Sequence, residues 1–550
     1  MTALFGKAVR YWETVRWLKP TQIYWRLWFR LAPPPKVDLS PAPRRRPKST
    51  SWIAAARRRP SLVGERRLRF LNVEAELDEV GWDGPKQEKL WRYNQHYFED
   101  LTAFEAAARR DWHHELMDDW IKHNPPGERT GWDPYPLSLR IVNWIKWELA
   151  GEKLSVRQTD SLATQVRYLC RRLERHLLGN HLFANAKALI FAGLFFEGHE
   201  AESWQQLGFG ILMTEFDEQI LPDGGQFELS PMYHALALED VLDLVNVSRT
   251  FQSALSARAR ALAAQWEESV PNMFGWLAAM SHPDGDISFF NDAAFGIAPH
   301  RIELEGYAQR LGFESNTPSV PLTWLSDSGY ARLQTENAVL LCDIGKVGPE
   351  YLPGHAHADS LSSEFSLFGQ RLFVNSGTSV YGVSEERLYQ RGTRAHNTVT
   401  VAERNSSDVW SGFRVGARAR PIQASVFQDG SHLVAIGAHD GYRALAAQPV
   451  HRRTWVLRRD GLEVSDEVGP GGHLAEARFH LHPDILAEQS ETSKGSLTLA
   501  SGKRAHWRAE GGQVRIVASY WHPEFGMSTP NACLVLPLQD GASRFELTWS

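Results

Sequence analysis

The stretch Thr454–Val468, TWVLRRDGLEVSDEV, decides the fold. Two runs rich in β-branched and aromatic residues flank Asp460-Gly461, a dipeptide that strongly favours a tight hairpin turn. The same dipeptide stands at Asp429-Gly430 and Asp540-Gly541. Around these lie further strand-like runs: AVLLCDIG from Ala338, RLFVNSG from Arg371, HNTVTVA from His396 and HLVAIGA from His432. Many strands at short intervals after about Trp324 predict a large antiparallel β-sandwich.

Towards the N-terminus the period changes. From about Lys86 to Gly312 apolar residues recur at helical spacing. Leu137, Ile141, Trp144 and Ile145 share one face of PYPLSLRIVNWIKWELAG, and Leu238, Val241, Leu242 and Val245 share one face of LEDVLDLV. Short breaks containing Gly and Pro separate the segments. No glycine-rich nucleotide loop follows a strand, so a nucleotide-binding fold is not expected. The fold class is therefore α+β and multidomain. The expected divisions are a basic, aromatic N-terminal helix with a Pro/Arg-rich linker (1–60), a helical domain (61–322) and a β-sandwich (323–550).

Composition narrows the function classes. The 550 residues are 43% hydrophobic and 23% charged, with a formal net charge of −5, so no strong attraction to nucleic acid or membrane follows. Cys170, Cys342 and Cys533 are too few and too scattered for a disulfide framework or a cysteine zinc site. No apolar run reaches the ~18 residues of a membrane span. The opening MTALFGKAVRYWETVRWLKPTQIYWRLWFRL lacks the apolar core of a signal peptide. It fits either a helix docked on the body, the expected arrangement, or one lying at a membrane interface. The 21 Trp mostly fill helix packing, while Trp132, Tyr135 and Trp410 are candidate sugar-stacking platforms.

Three polar clusters interrupt apolar context. LLGNHLFANAKALIFAG carries Asn180, His181 and Asn185, the asparagines being candidate caps. DGGQFELSPMYHALALED carries Gln226, Glu228, Tyr233 and His234, with Ser230-Pro231 reading as an N-cap followed by proline at the first helical position. GHAHADSLSSEFS places His355, His357 and Asp359 on alternate positions, on one side of an extended chain. A metallohydrolase HxHxDH motif would need histidine where Ser360 stands, and the helical array is the wrong context for that fold. Asp286, Asn291, Asp292, His480 and His482 are further candidates for the cleft rim.

Together and in this order, with HPDGDISFFNDA, LFVNSGT and AHNTVTV, the clusters resemble the heparinase II/III-like polysaccharide lyases. That resemblance covers most of the chain and implies an N-terminal (α/α) toroid and a C-terminal antiparallel β-sandwich. It implies β-elimination next to a uronic acid of a glycosaminoglycan-like, alginate-like or exopolysaccharide polymer. Such a substrate points to the periplasm or exterior, while the lack of a visible signal peptide leaves the cell interior open. The C5 proton is very weakly acidic, so donors must stabilise the developing dianion while a base and an acid act on C5 and the leaving oxygen.

By resemblance Asn180, helped by His181, neutralises the uronate carboxylate. Tyr233 is the acid, and the base as well for one C5 epimer; His355 is the other base, on the opposite face of the sugar. Gln226, Glu228, His234, Arg391 and Arg394 are expected to bind substrate. His357, Asn375 and His396 occupy the positions of a structural zinc-type ion. Asn375 stands where aspartate is typical, which leaves either an ion or a hydrogen-bonded cluster. No organic cofactor is implied. The expected partner is an anionic polysaccharide, with no nucleic acid and no membrane span. An alternative class is a non-catalytic protein that binds or processes exopolysaccharide.

Overall fold

Between Lys89 and Arg310 the chain is helical, and from Leu322 onward it is almost entirely antiparallel β. The computed structural model describes residues 2–33, 35–45, 52–314 and 320–550. Local chemistry sets the helix starts. Ser155 and Gln158 form a reciprocal capping box at the head of Val156–Arg171. Ser230 Oγ accepts from the Tyr233 amide at 3.2 Å, with Pro231 opening the helix Pro231–Thr250 as the sequence predicts. The helix Gly179–Phe195 is buried on nearly every face, which is why it lacks amphipathic periodicity. It packs against Pro134–Leu149 and His199–Gln219. The approach to His199–Gln219 is close: a Cβ on Gly193 would lie 2.5 Å from the Gln205 amide nitrogen.

The β half holds three main antiparallel sheets. A five-stranded sheet runs in chain order through Leu322–Leu325, Tyr330–Gln334, Ala338–Asp343, Ser363–Leu367 and Gln370–Phe373. A four-stranded sheet includes Val399–Val401, Ala475–His480 and Thr529–Pro537, and an eight-stranded sheet includes Val450–Leu457, Gly461–Gly469 and Ala542–Trp549. All three contribute to one apolar core. In it Phe373, Phe479 and Phe545 meet at ring distances of 5.5 and 4.3 Å. Leu457 pairs with Leu462, so the quoted stretch is a hairpin, turning one residue before Asp460-Gly461. At Asp540-Gly541 both residues have positive φ, but the strands on either side belong to different sheets. That dipeptide makes a corner between layers instead of a hairpin.

The halves are joined by apolar and polar contacts. Leu229, Trp276 and Phe290 share a cluster with Tyr330, Val339 and Leu341. Buried Glu364 accepts from the Phe289 and Asn375 amides and meets His282 at 2.8 Å. Burial pushes its carboxyl up to about 7, against the pull of Arg371. The Pro/Arg-rich segment, which the sequence leaves open as a linker or a wrap over the surface, straps the helical half, where Ile53 exchanges bonds with Asn246 and Arg58 pairs with Glu239. Residues 46–51 of that Pro/Arg-rich stretch lie outside the described ones.

Candidate active site

Asp292 organises the site. It sits fully buried in the segment between the helices Ala257–Ala279 and Arg301–Arg310. Its Oδ2 lies 2.9 Å from His355 Nδ1, and its Oδ1 lies 2.8 Å from His357 Nε2. The Arg387 guanidinium grips both oxygens, with Nη2 2.7 Å from Oδ2. Burial alone would raise this carboxyl, but Arg387 and the two histidine bonds hold it well below the ordinary carboxylate range. The alternate spacing of His355 and His357 thus brings both rings onto one carboxylate. Asp359 faces the same region and accepts from the Asn291 amide at 3.1 Å. Asn291, at φ 56°, in turn accepts from the His357 amide and donates to the Leu229 carbonyl. It ties the histidine loop to the helical half.

With Nδ1 bonded to Asp292, Nε2 is the His355 nitrogen left for chemistry. That atom faces Glu228 Oε2 at 3.8 Å. Glu228 is buried, and Oε2 has no hydrogen-bond partner. Burial raises its carboxyl, and His355, Gln226 and His181 only partly offset this. Gln226 holds the neighbouring geometry by accepting from the Glu228 amide at 3.0 Å. The His355 ring lies on Tyr233 with 4.0 Å between centroids. Contact this close leaves no room for a sugar between the two rings, so in this arrangement they do not flank opposite faces of it. Tyr233 Oη is 3.0 Å from Tyr381 Oη. Burial raises both hydroxyls far above their ordinary values, reinforced by Tyr381 and Asp292 at Tyr233 and by Asp292 at Tyr381, so Tyr233 holds its proton.

The turn that carries Asn180 meets the same region through left-handed backbone. Leu178 and Gly179 have φ of 64° and 56° at the head of Gly179–Phe195. A Cβ on Gly179 would lie 2.3 Å from Leu352 Cδ2 and 3.7 Å from Glu228 Oε1, so this first turn abuts the histidine loop. Asn180 is half-buried. His181 stacks on Tyr135 at 4.6 Å and bonds Glu174 at 3.0 Å. Burial opposes its charge, but Glu174 outweighs this and raises its pKa. Asn185 is not a cap: its amide is buried against Glu174 and Ser138. Tyr233, Tyr381 and Tyr135 also line a cavity of about 140 Å3 running into the helical half, where Arg58, Lys146 and Lys187 meet Glu239, Asp240 and Asp243.

Several expected site residues have structural work instead. His234 is fully buried between the Gln226 amide, the Met273 carbonyl and the Trp276 ring, and burial lowers its pKa to about 3. Arg391 is fully buried, and its guanidinium donates to the carbonyls of Ala356, Ser411, Gly412 and Arg414. It clamps the histidine loop through the Ala356 carbonyl. Arg394 is exposed and bonds none of these groups. Trp132 is core, packed on Trp120 and Tyr168. Trp410 is covered by the N-terminal helix through Tyr11 and Thr14. His480 is buried between Ser519 and the Arg394 carbonyl, His482 lies against Trp521, and Asp286 pairs with His300 at the exposed rim. Tyr381 and Arg387 were missed, because YGVSEERLYQRG carries no spacing that marks them.

At the expected ion position, His357 Nδ1 and His396 Nε2 face each other at 3.1 Å. Their outer nitrogens are fixed on Asp292 and on the Gly392 carbonyl. Burial lowers both pKa values, that of His357 to about 4, so two lone pairs converge in a buried place. Two imidazoles with their outer N–H groups held by acceptors fit two positions of a zinc-type ion. Asn375 does not supply a third. Its amide donates to the Phe289 carbonyl and accepts from the Asn397 amide. Among the described residues no group of three His, Cys, Asp or Glu side chains is placed to hold an ion.

Comparison with known proteins places this geometry in context. Residues 79–307 match the family described as Heparinase II/III N-terminus, and residues 317–550 match Heparinase II/III-like, C-terminal. A heparin-sulfate lyase of Pedobacter heparinus is 26% identical over 346 residues, covering 55% of this chain and 49% of the relative. The match thus spans about half the length of that relative. FtsZ-localized protein C of Caulobacter vibrioides is 25% identical over 451 residues, covering 77% of this chain and 74% of that protein. A crystal structure of heparinase III superposes with a TM-score of 0.66 at 17% identity, covering 83% of this chain and 76% of the other, a likeness of fold.

Proposed function

Because the chain belongs to the heparinase II/III-like family, we propose that it is a polysaccharide lyase cleaving a uronate-containing polymer by β-elimination. We read the helical half as the (α/α) toroid and the sheets as the β-sandwich of that family. One observation carries the chemistry: His355, fixed at Nδ1 by buried Asp292, lies in contact with the protonated phenol of Tyr233. His355 Nε2 takes the C5 proton. The electron pair forms the C4–C5 double bond as the C4–O bond breaks, and Tyr233 Oη gives its proton to the leaving oxygen. Tyr381 Oη keeps that phenol oriented.

Charge developing on the uronate carboxylate needs donors placed in advance. Asn180 supplies an amide, and His181, whose charged form Glu174 favours against burial, is the second donor. Glu228 is the third. Burial favours the protonated form of its carboxyl, which donates one hydrogen bond, and its unpartnered Oε2 is placed for that use. An ion at His357 and His396 would brace the loop that carries His355, and no step passes through it. The heparin-sulfate lyase relatives favour a glycosaminoglycan-like substrate, with alginate and exopolysaccharide as alternatives.

A second reading has one observation in its favour. FtsZ-localized protein C matches more of this chain than the lyases do, and its name describes a location, not a reaction. In that reading the fold serves binding alone. Incubation with heparan sulfate, hyaluronan, chondroitin sulfate, alginate and polymannuronate, followed by ultraviolet absorbance, separates the two. A rise from conjugated unsaturated uronate supports elimination and identifies the polymer. New reducing ends without that rise would refute it, and silence on all substrates favours the binding reading.

A further inference from the structure

The helix Pro20–Leu31 turns its apolar face outward. Ile23, Tyr24, Leu27, Trp28 and Leu31 fall on one stripe of the helix, and their exposures run from 37% to 78%. The opposite face holds the helix to the body. Gln22 is buried and reaches the Tyr351 carbonyl, Phe29 packs on His176 at 4.4 Å, and Lys19 pairs with Glu218. The helix Thr2–Val15 is arranged in the same way. Arg10 pairs with Asp408 at 2.8 Å and Trp410 donates to Thr14 at 3.1 Å, while Val9, Trp12 and Val15 are 44%, 62% and 44% exposed. Exposed large apolar side chains on adjoining helices carry an uncompensated hydration cost that a partner surface would remove.

Charge says which partner. Residues 1–32, which hold both helices, carry six Lys and Arg against one acidic residue, while the rest of the chain carries 54 against 64. Arg26 and Arg30 are exposed on the same helix as the stripe. An acidic body thus stands on a basic foot whose outer surface is apolar and aromatic. Trp and Tyr settle at the boundary between headgroups and acyl chains, and Lys and Arg bind anionic headgroups.

We propose that the two N-terminal helices dock the protein on an anionic lipid surface, lying in the interface without spanning it. Among the described residues no helix is long and apolar enough to cross a membrane. The attachment does not depend on the lyase reading. The helices meet the body at Trp410, Tyr351 and His176, whereas the proposed chemistry sits at Tyr233 and His355.

The test is co-sedimentation of the full chain with phosphatidylcholine vesicles, with and without phosphatidylglycerol. Binding is expected to the anionic vesicles and to weaken as salt is raised. Leu27→Glu with Trp28→Glu should cut partitioning about tenfold or more at an unchanged melting temperature. Arg26→Glu with Arg30→Glu should remove the preference for anionic lipid. Absence of binding, or equal binding to neutral and anionic vesicles, overturns the proposal. So does a lipid-free dimer on size exclusion that the Leu27/Trp28 variant dissociates, because the face would then cover a second copy.

Discussion

Replacing Asp292 by asparagine keeps the shape of the side chain and removes its charge, which isolates the role of this carboxylate. The wild-type group accepts from His355, His357, Thr378 and both terminal nitrogens of Arg387, all with almost no water. An amide can accept at only one of its two positions, so its NH2 would oppose a guanidinium or an imidazole N–H. Breaking a buried ion pair by removing one partner costs about 3–5 kcal/mol. Asp292→Asn should therefore lower the denaturation midpoint by an amount of that size. The same change frees the His355 ring from its tautomer and orientation. General-base catalysis contributes about 10²–10⁴ in rate, so the rate of elimination should fall within that range. The assays are urea unfolding followed by tryptophan fluorescence and initial rates of unsaturated product. Asp286→Asn is the control, since its partner His300 is exposed; its effect should stay within about 0.5 kcal/mol. An Asp292→Asn protein as stable and as active as the control would refute the reasoning.

Glu228→Gln keeps a donor where Glu228→Ala removes it, so the glutamine variant should retain activity within about tenfold while alanine loses about 10²–10³. Because the folded carboxyl of Glu228 is raised, its stabilising contribution is complete below the unfolded value near ~4.3 and is lost as pH rises through the folded value. The glutamine variant should therefore gain stability relative to wild type as pH rises through that window, measured by melting temperature against pH. Arg391→Ala leaves several buried carbonyls without donors. It should lower stability by about 2–4 kcal/mol and reduce kcat through the histidine loop while KM holds, the reverse of what a substrate-binding arginine would show. A chelator should leave the initial rate of the folded enzyme unchanged, because no step of the proposed chemistry passes through the His357–His396 pair; loss of rate at a constant melting temperature would place an ion in the chemistry.

The two-part fold was legible because its signals are local. Helical periodicity before Gly312 and strand runs after Trp324 need only near neighbours in sequence. The strand partners needed distance: Asp540-Gly541 looked like the hairpin at Asp460-Gly461, and only the layers show that it turns a corner. The same contrast holds in the site. His355, Tyr233 and Glu228 stood in motifs that announce polar groups in apolar surroundings. Arg387, Tyr381 and the central role of Asp292 depend on contacts between segments 63, 95 and 148 residues apart, which no short window contains. Arg391 and His234 looked like ligand-binding residues because a sequence does not show burial. Their bonds go to backbone carbonyls and amides of the site's own walls. Trp132 and Trp410 misled for the same reason.

The central claim is that this site performs elimination with Tyr233 as the acid. Its most direct test is the initial rate of unsaturated uronate formation by Tyr233→Phe on the polymer that the wild type cleaves best. Loss of the hydroxyl removes the bond to Tyr381 and should cost only about 1 kcal/mol of stability. The account predicts a folded variant whose rate falls at least about a hundredfold with little change in KM. A variant that forms unsaturated product at the wild-type rate would contradict it.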